Sequence, residues 1–286
     1  MGRDMAQQVI GEIDGRIQLL DLPDAEMLVL PGVRWGAFDH ALTPAFWVSQ
    51  AWMMGTPDKT SFKLGKDLNE EVIYCLLGGH GAPAEVGLAA ARRVCAAFSN
   101  NGELTQDHIE ALLTEPLIVG SRQVRYRFAA QRARYLGGAL SGLTTLDKDE
   151  PSDAHLRNAL QKLPGIGPKT ASWIVRNYRG SNEVAILDVH IVRACTTMGL
   201  FPQFSNLARD YFDLERRFLD FCSSTGAYPS VLDALMWATM RTISRPLMQL
   251  LVDPQATLEQ PGKSWLTGGQ RCRVRTAQGM KRLVRV

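Results

Sequence analysis

The chain has few cysteines, few strand signals and no long apolar run, and each shortage removes a class of protein. Its five cysteines (Cys75, Cys95, Cys195, Cys222 and Cys272) are scattered through 286 residues, no two within four positions of each other. That spacing offers no CxxC-type metal pair, and the odd number fits reduced thiols better than a disulfide framework. No apolar stretch approaches the roughly 18 residues that suggest a membrane span. The N-terminus mixes Arg3, Asp4 and Glu12 without an apolar export region, so the expected location is the cytoplasm, or the nucleoid within it. Charge of one sign is also scarce. The formal net charge is +3, which suits a polyanionic partner without establishing one. Its distribution says more: from Pro261 to Val286 there are seven Lys and Arg residues and no Asp or Glu. This tail reads either as a solvated chain end or as a contact for nucleic acid or another partner. What is present, 45% apolar and 21% charged residues, is the balance of an ordinary globular protein long enough for one large domain or two lobes around a cleft.

Residues 1–66 form the least regular part, an N-terminal segment expected to be partly extended. Short apolar runs such as Met27–Leu30 lie there between Pro23 and Pro31, and a short helix is expected over Ala45–Met54, after Thr43 and Pro44. From Leu68 helical patterns dominate. A helical lobe over 67–150 should contain helices at Asn69–Leu77, Pro83–Phe98, Thr105–Leu113 and Gln123–Leu140. A second over 151–250 should contain Ser152–Lys162, Pro168–Tyr178, Asp188–Met198, Asn206–Ser223 and Pro229–Ile243. Each is bounded by Gly, Pro or a capping side chain. Residues 251–286 are the basic tail and carry no convincing period. The fold class is mostly α, two helical lobes with a groove between them and a minor β or irregular N-terminal segment.

The chemistry concentrates in Leu163-Pro-Gly-Ile-Gly-Pro-Lys169-Thr-Ala-Ser-Trp173. Gly165 and Gly167 flank one apolar residue between two amphipathic helices, and glycine permits the positive φ and close backbone approach of a tight hairpin. Pro168 suits a first helical position, where the missing N–H costs nothing. The helix it opens would present free amides and a positive dipole end, a natural site for phosphate oxygens. Such contacts position a nucleic-acid backbone without reading its sequence. By itself a Gly-x-Gly turn is weak evidence, since plain helix–helix turns use it too. A dinucleotide site is disfavoured, because no strand precedes the turn and no third glycine follows it.

Leu163–Ala171 resembles the helix-hairpin-helix signature of the endonuclease III and 8-oxoguanine glycosylase superfamily. Nineteen residues after Lys169, Ile186-Leu-Asp-Val-His190 resembles that superfamily's aspartate segment. The resemblance covers about Leu68 to Ile243. It implies that Lys169 is the amine nucleophile and Asp188 its carboxylate partner, that Leu163, Gly165, Ile166, Gly167 and Thr170 meet the DNA backbone, and that no cofactor is used. An attacking lysine must be neutral, which burial, nearby cations or a helix N-terminus favour. Asp188 is also placed to cap the helix that follows it, and one carboxylate can do both tasks. Cleaving an N-glycosidic bond builds positive charge on the sugar, which a fixed carboxylate stabilises. The damaged base would be flipped into a pocket, expelled by Lys169, and followed by β-elimination.

Within the superfamily, the three cysteines after Asp188 lack the spacing of the iron–sulfur cluster typical of the endonuclease III and adenine-glycosylase branches, so no metal is expected. Monofunctional alkylation-damage enzymes lack the lysine. Asp188-Val-His190 looks most like the 8-oxoguanine glycosylase/lyases, where a histidine at the position of His190 approaches a phosphate; a packed helix histidine is the other reading. Tyr126–Tyr135 resembles an Arg-rich helix of the microbial enzymes, though for Arg132 and Arg134 a solvated basic face is the favoured reading. Leu232–Trp237 resembles the late helix bordering their base pocket. Trp173 replaces a small thiol of the eukaryotic enzymes and reads as a stacking surface or as core. Trp173 and Trp237 are thus the candidate pocket residues. The implied function is a bifunctional glycosylase and abasic-site lyase acting, as a monomer, on double-stranded DNA that contains 8-oxoguanine or a related oxidised purine. The competing readings are the same chemistry on another damaged or modified base, and a non-catalytic helix-hairpin-helix DNA-binding protein.

Overall fold

The computed structural model describes residues 7–79, 81–101, 104–147 and 150–252. The basic tail beyond residue 252, with Cys272, lies outside the described residues. The described chain is mostly helical, with three two-stranded antiparallel hairpins. None of its helices is long and apolar enough to cross a membrane.

The N-terminal segment is more regular than its composition suggests. Strands β1 (Gln7–Ile13) and β2 (Arg16–Leu22) pair from Gln7 with Leu22 to Ile13 with Arg16. Asp14 and Gly15 make the turn, both at positive φ, which is the geometry that matches strand twist in a two-residue hairpin. Strands β3 (Leu28–Leu30) and β4 (Val33–Arg34) form a second, smaller hairpin, followed by α1 (Pro44–Met53), capped by Thr43.

Next come α2 (Leu68–Leu77), α3 (Ala84–Asn101) and α4 (Gln106–Thr114). The helix expected to begin at Gln123 begins later. Strands β5 (Leu117–Val119) and β6 (Arg122–Val124) pair across Gly120, and α5 runs over Ala129–Leu143. Gly120 at φ +61° allows this turn, which ends the helical pattern of residues 123–128 before it starts. The remaining helices are α6 (Asp153–Leu160), α7 (Pro168–Arg179), α8 (Val189–Thr197), α9 (Leu207–Thr225), α10 (Pro229–Met240) and α11 (Arg245–Val252), the last not foreseen from the sequence.

Two hydrophobic cores organise these elements, and they do not follow the boundary drawn at residue 150. One gathers α2 to α7, with Ile73, Leu76, Leu113, Leu136, Leu156 and Ile174 at its centre, and ends at Val184. The other begins at Ala185 and joins α8, α9 and α10 to the N-terminal segment, with Trp47, Leu187, Phe218, Phe221 and Leu232 buried together. The chain therefore crosses from one core to the other between α7 and α8. The same crossing separates Lys169 from Asp188, so the two meet where the cores adjoin.

Candidate active site

The hairpin between α6 and α7 is built by close packing on α5. Gly165 has φ +76°, and a Cβ there would lie 2.6 Å from the Tyr135 ring. Two α5 glycines receive its neighbours: a Cβ on Gly138 would meet Pro164 at 2.9 Å, and one on Gly142 would meet Leu163 at 2.4 Å. Tyr135, Gly138 and Gly142 are spaced three and four residues apart, so they share one face of the helix. Ile166 is buried, and its amide donates to the Leu163 carbonyl at 3.2 Å. Of the hairpin residues expected to meet DNA, Ile166 thus supports the turn from inside and Leu163 is half-buried against α5. Gly165 and Gly167 are exposed.

Gly167 caps α7 without a side chain, and Pro168 occupies the first turn. The first bond within the helix is Ala171 N–H to the Gly167 carbonyl at 2.9 Å. Six other helices in the described chain have a side-chain cap. The Lys169 and Thr170 amides at this helix start are in the position where a helix has no internal acceptor to offer. Thr170 is half-buried.

Lys169 Nζ stands 3.6 Å from Asp188 Oδ2, with the lysine side chain 37% exposed and the aspartate 11%. The other oxygen of Asp188 is engaged: Oδ1 accepts the amides of His190 at 2.8 Å and Ile191 at 3.2 Å as the N-cap of α8. One carboxylate is therefore divided between a structural bond and a contact with the amine. His190 is half-buried beside it and Val189 is exposed. An exposed-side amine and a nearly buried, fixed carboxylate at this separation can attack an electrophile and stabilise a cation beside it.

The two tryptophans lie on different helices, Trp173 on α7 and Trp237 on α10. Trp173 is half-buried against the α2–α7 core, where a Cβ on Gly78 would touch its ring at 3.2 Å. Trp237, on α10, is 37% exposed and carries the Arg241 guanidinium over its ring at 4.4 Å. Arg241 also reaches Glu85 of α3 at 3.9 Å, an ion pair that links the two cores.

Behind the lysine–aspartate pair lies a buried polar group that sequence reasoning did not single out. Glu215 of α9 accepts from Ser172 Oγ at 3.1 Å, from the Ala185 amide at 2.9 Å and from Arg157. Asp233 of α10 accepts from Arg176 at 3.3 Å and from the Ile186 amide at 3.0 Å. Tyr211 donates to the Ala185 carbonyl at 2.8 Å and accepts from the Leu187 amide at 3.3 Å. Burial pushes the Asp233 carboxyl up to about 6, against the opposing pull of Arg176. It raises Glu215 as well, opposed by the Ala185 amide and Arg157. The available signal was a charge inside an apolar run: Asp233 lies within Val231–Met236 and Arg176 follows Ile174 and Val175. A charged residue there must be paired when it is buried.

The four cysteines among the described residues, Cys75, Cys95, Cys195 and Cys222, are buried. Desolvation raises the Cys75, Cys195 and Cys222 thiols well above their ordinary range and pushes Cys95 up to about 12. No cluster of three His, Cys, Asp or Glu side chains suited to a metal ion occurs among the described residues.

Residues 59–227 match the model of the 8-oxoguanine DNA glycosylase family. Among solved structures, the 8-oxoguanine DNA glycosylase of Methanocaldococcus jannaschii is 25% identical with a TM-score of 0.50, over 62% of this chain and 80% of that one. The same activity from Thermotoga maritima is 26% identical at 0.49, over 60% of this chain and 78% of the other. A further structure shows the M. jannaschii glycosylase/lyase with 15-mer DNA containing 8-oxoguanine, at 25% identity and 0.49, over 63% and 84%.

Proposed function

This chain belongs to the helix-hairpin-helix family of 8-oxoguanine DNA glycosylases, and we propose that it is a bifunctional repair enzyme that excises 8-oxoguanine, or a related oxidised purine, from duplex DNA through a Schiff base on Lys169. The observation that carries this reading is the approach of Lys169 Nζ to Asp188 Oδ2 at 3.6 Å, next to a helix start that has no side-chain cap.

DNA is held first through its backbone. Phosphate oxygens accept amides from the exposed hairpin and the start of α7, where the helix dipole favours negative charge. The damaged nucleotide leaves the stack and enters the groove, and Trp173 and Trp237 are the aromatic surfaces offered there. Neutral Lys169 Nζ then forms a bond to the sugar C1′ as the C1′–N9 bond breaks and its electron pair departs with the base, which picks up a proton. Asp188 stabilises the positive charge on the sugar while this happens. Nζ gives up one proton and O4′ takes one up as the C1′–O4′ bond opens, which leaves the protonated imine. Removal of a C2′ proton then expels the 3′ phosphate, and water releases the lysine. The protein contributes the nucleophile, the carboxylate and the geometry. One groove holds one lesion, so a single copy of the chain suffices.

The test is covalent trapping. The protein is incubated with a labelled duplex carrying 8-oxoguanine opposite cytosine, at fixed salt, and reduced with borohydride. A protein–DNA band that vanishes in Lys169→Ala and on undamaged duplex is expected. A band on a preformed abasic site alone would reject the base and retain the lysine chemistry. No band on either substrate would refute the lyase mechanism.

A further inference from the structure

Residues 182–188, which join α7 to α8, form neither helix nor strand, although Val184, Ala185 and Leu187 are buried. Buried backbone amides and carbonyls outside regular structure need partners from elsewhere. Here three side chains supply them. Glu215 takes the Ala185 amide, Tyr211 takes the Ala185 carbonyl and the Leu187 amide, and Asp233 takes the Ile186 amide. Each is almost fully enclosed, at 3%, 3% and 2% exposure.

Two of the three also grip α7. Ser172 donates to the same Glu215 oxygen that receives the Ala185 amide, and Arg176 is paired with Asp233. Ser172 lies three residues beyond Lys169, and Leu187 is the residue before Asp188. The helix that carries the amine and the segment that carries the carboxylate are thus tied to the same side chains. Stability is a weak reason to keep such groups, because apolar residues of similar volume in place of a buried ion pair are often neutral or stabilising. An apolar side chain would leave the amides of residues 185–187 unsatisfied and free to shift. A displacement of about 1 Å at reacting groups can cost on the order of a hundredfold in rate.

We propose that Tyr211, Glu215 and Asp233 are positioning residues, a side-chain clamp in place of a sheet that fixes Ala185–Leu187 and thereby holds Asp188 against Lys169. The catalytic part of this inference rests on the function proposed above; the structural part does not.

The discriminating variant is Tyr211→Phe, which keeps the packed ring and deletes one hydroxyl. Three measurements go together: the single-turnover excision rate at saturating DNA, affinity for a duplex with a non-cleavable abasic analogue, and amide hydrogen exchange across residues 184–190. The expected result is a rate at least tenfold lower, affinity within twofold of wild type, and at least tenfold faster exchange at the Leu187 amide. Arg93→Met is the matched control. It removes three hydrogen bonds to the carbonyls of Leu112, Glu115 and Pro116 in the other core and should leave the rate unchanged. Wild-type exchange protection and rate in Tyr211→Phe would overturn the clamp, as would a rate loss in Arg93→Met that tracks its loss of thermal stability. Wild-type protein that neither excises nor traps would instead sink the proposed function, with the exchange data still deciding whether the segment is clamped.

Discussion

In an Asp188→Asn variant the amide oxygen can still accept the His190 and Ile191 amides, because Asn caps a helix about as well as Asp. What disappears is the charge facing Lys169. At 3.6 Å two unit charges interact by about 1 kcal/mol in water and about 5 kcal/mol at an effective dielectric constant near 20. A sugar cation attacked by Lys169 would sit at a comparable distance from that carboxylate. At about 1.4 kcal/mol per tenfold, the expected loss of excision rate lies between about fivefold and three orders of magnitude. Folding should hardly notice, since an ion pair with one partner this exposed is worth about 0–1 kcal/mol. Asp188→Ala removes the cap too, adding about 1 kcal/mol of destabilisation, or about 2–4 °C in melting temperature for a chain of this size. The assay is single-turnover excision with enzyme in excess, run beside thermal melts of the three proteins. If Asp188→Asn excises within twofold of wild type while Asp188→Ala loses rate only in proportion to its melting temperature, the carboxylate is a helix cap and the charge argument fails.

Gly165→Ala forces a Cβ into positive φ, at a cost of about 1–2 kcal/mol, and against the Tyr135 ring. It should weaken binding to damaged and undamaged duplexes alike, measured at one salt concentration; undiminished affinity in a folded variant would remove the hairpin from the DNA interface. Asp233 has a folded-state value of about 6, above the ordinary 3.8, so its contribution to stability is fully present below about pH 4 and is lost as pH rises through 6. That rise corresponds to on the order of 3 kcal/mol. The groups facing it are Arg176, Asp188, Tyr211 and Cys222. Urea unfolding at pH 4.5 and 7 should therefore show a smaller change with pH in Asp233→Asn than in wild type, and equal changes would refute the assignment.

The pieces legible in the sequence were those whose signal is local. Helix periods bounded by caps located α1 to α10 within a few residues, apart from the start of α5, and Gly165, Lys169 and Asp188 stood out because hairpin and chemistry lie in short motifs. The β1–β2 hairpin is also written locally, in Asp14-Gly15 between two short segments rich in Val, Ile and Leu, but without strict alternation its strands do not stand out. Other features were not local at all. Glu215 meets Ser172 across 43 positions, Asp233 meets Arg176 across 57, and the N-terminal segment completes the core of α8 to α10 from the opposite end of the chain. No period or spacing encodes such pairings. A charged residue inside an apolar helix face tells that a partner exists without telling where it lies.

The division between cores gives the hairpin a second consequence. Lys169 follows Gly167 by two residues on a helix whose body is buried, with Ala171, Ile174 and Val175 in the α2–α7 core. On the proposed function, a phosphate held at the start of that helix is held in fixed relation to the Lys169 backbone, and the contact with Asp188 holds the amine at the end of its side chain. The carboxylate belongs to the other core and needs its own tie, since packing within one core cannot set a distance to a residue in the next. Glu215 and Asp233 make that tie by binding α7 and the Ala185 and Ile186 amides together. On the proposed function, the helix start, Lys169 and Asp188 thus act as one series, and binding energy gained on undamaged phosphates would be spent on alignment at the sugar. This arrangement requires no movement of Lys169 toward Asp188 when DNA binds. On the proposed function the part left to move is the nucleotide, and its easier rotation out of the stack when damaged is one source of selectivity.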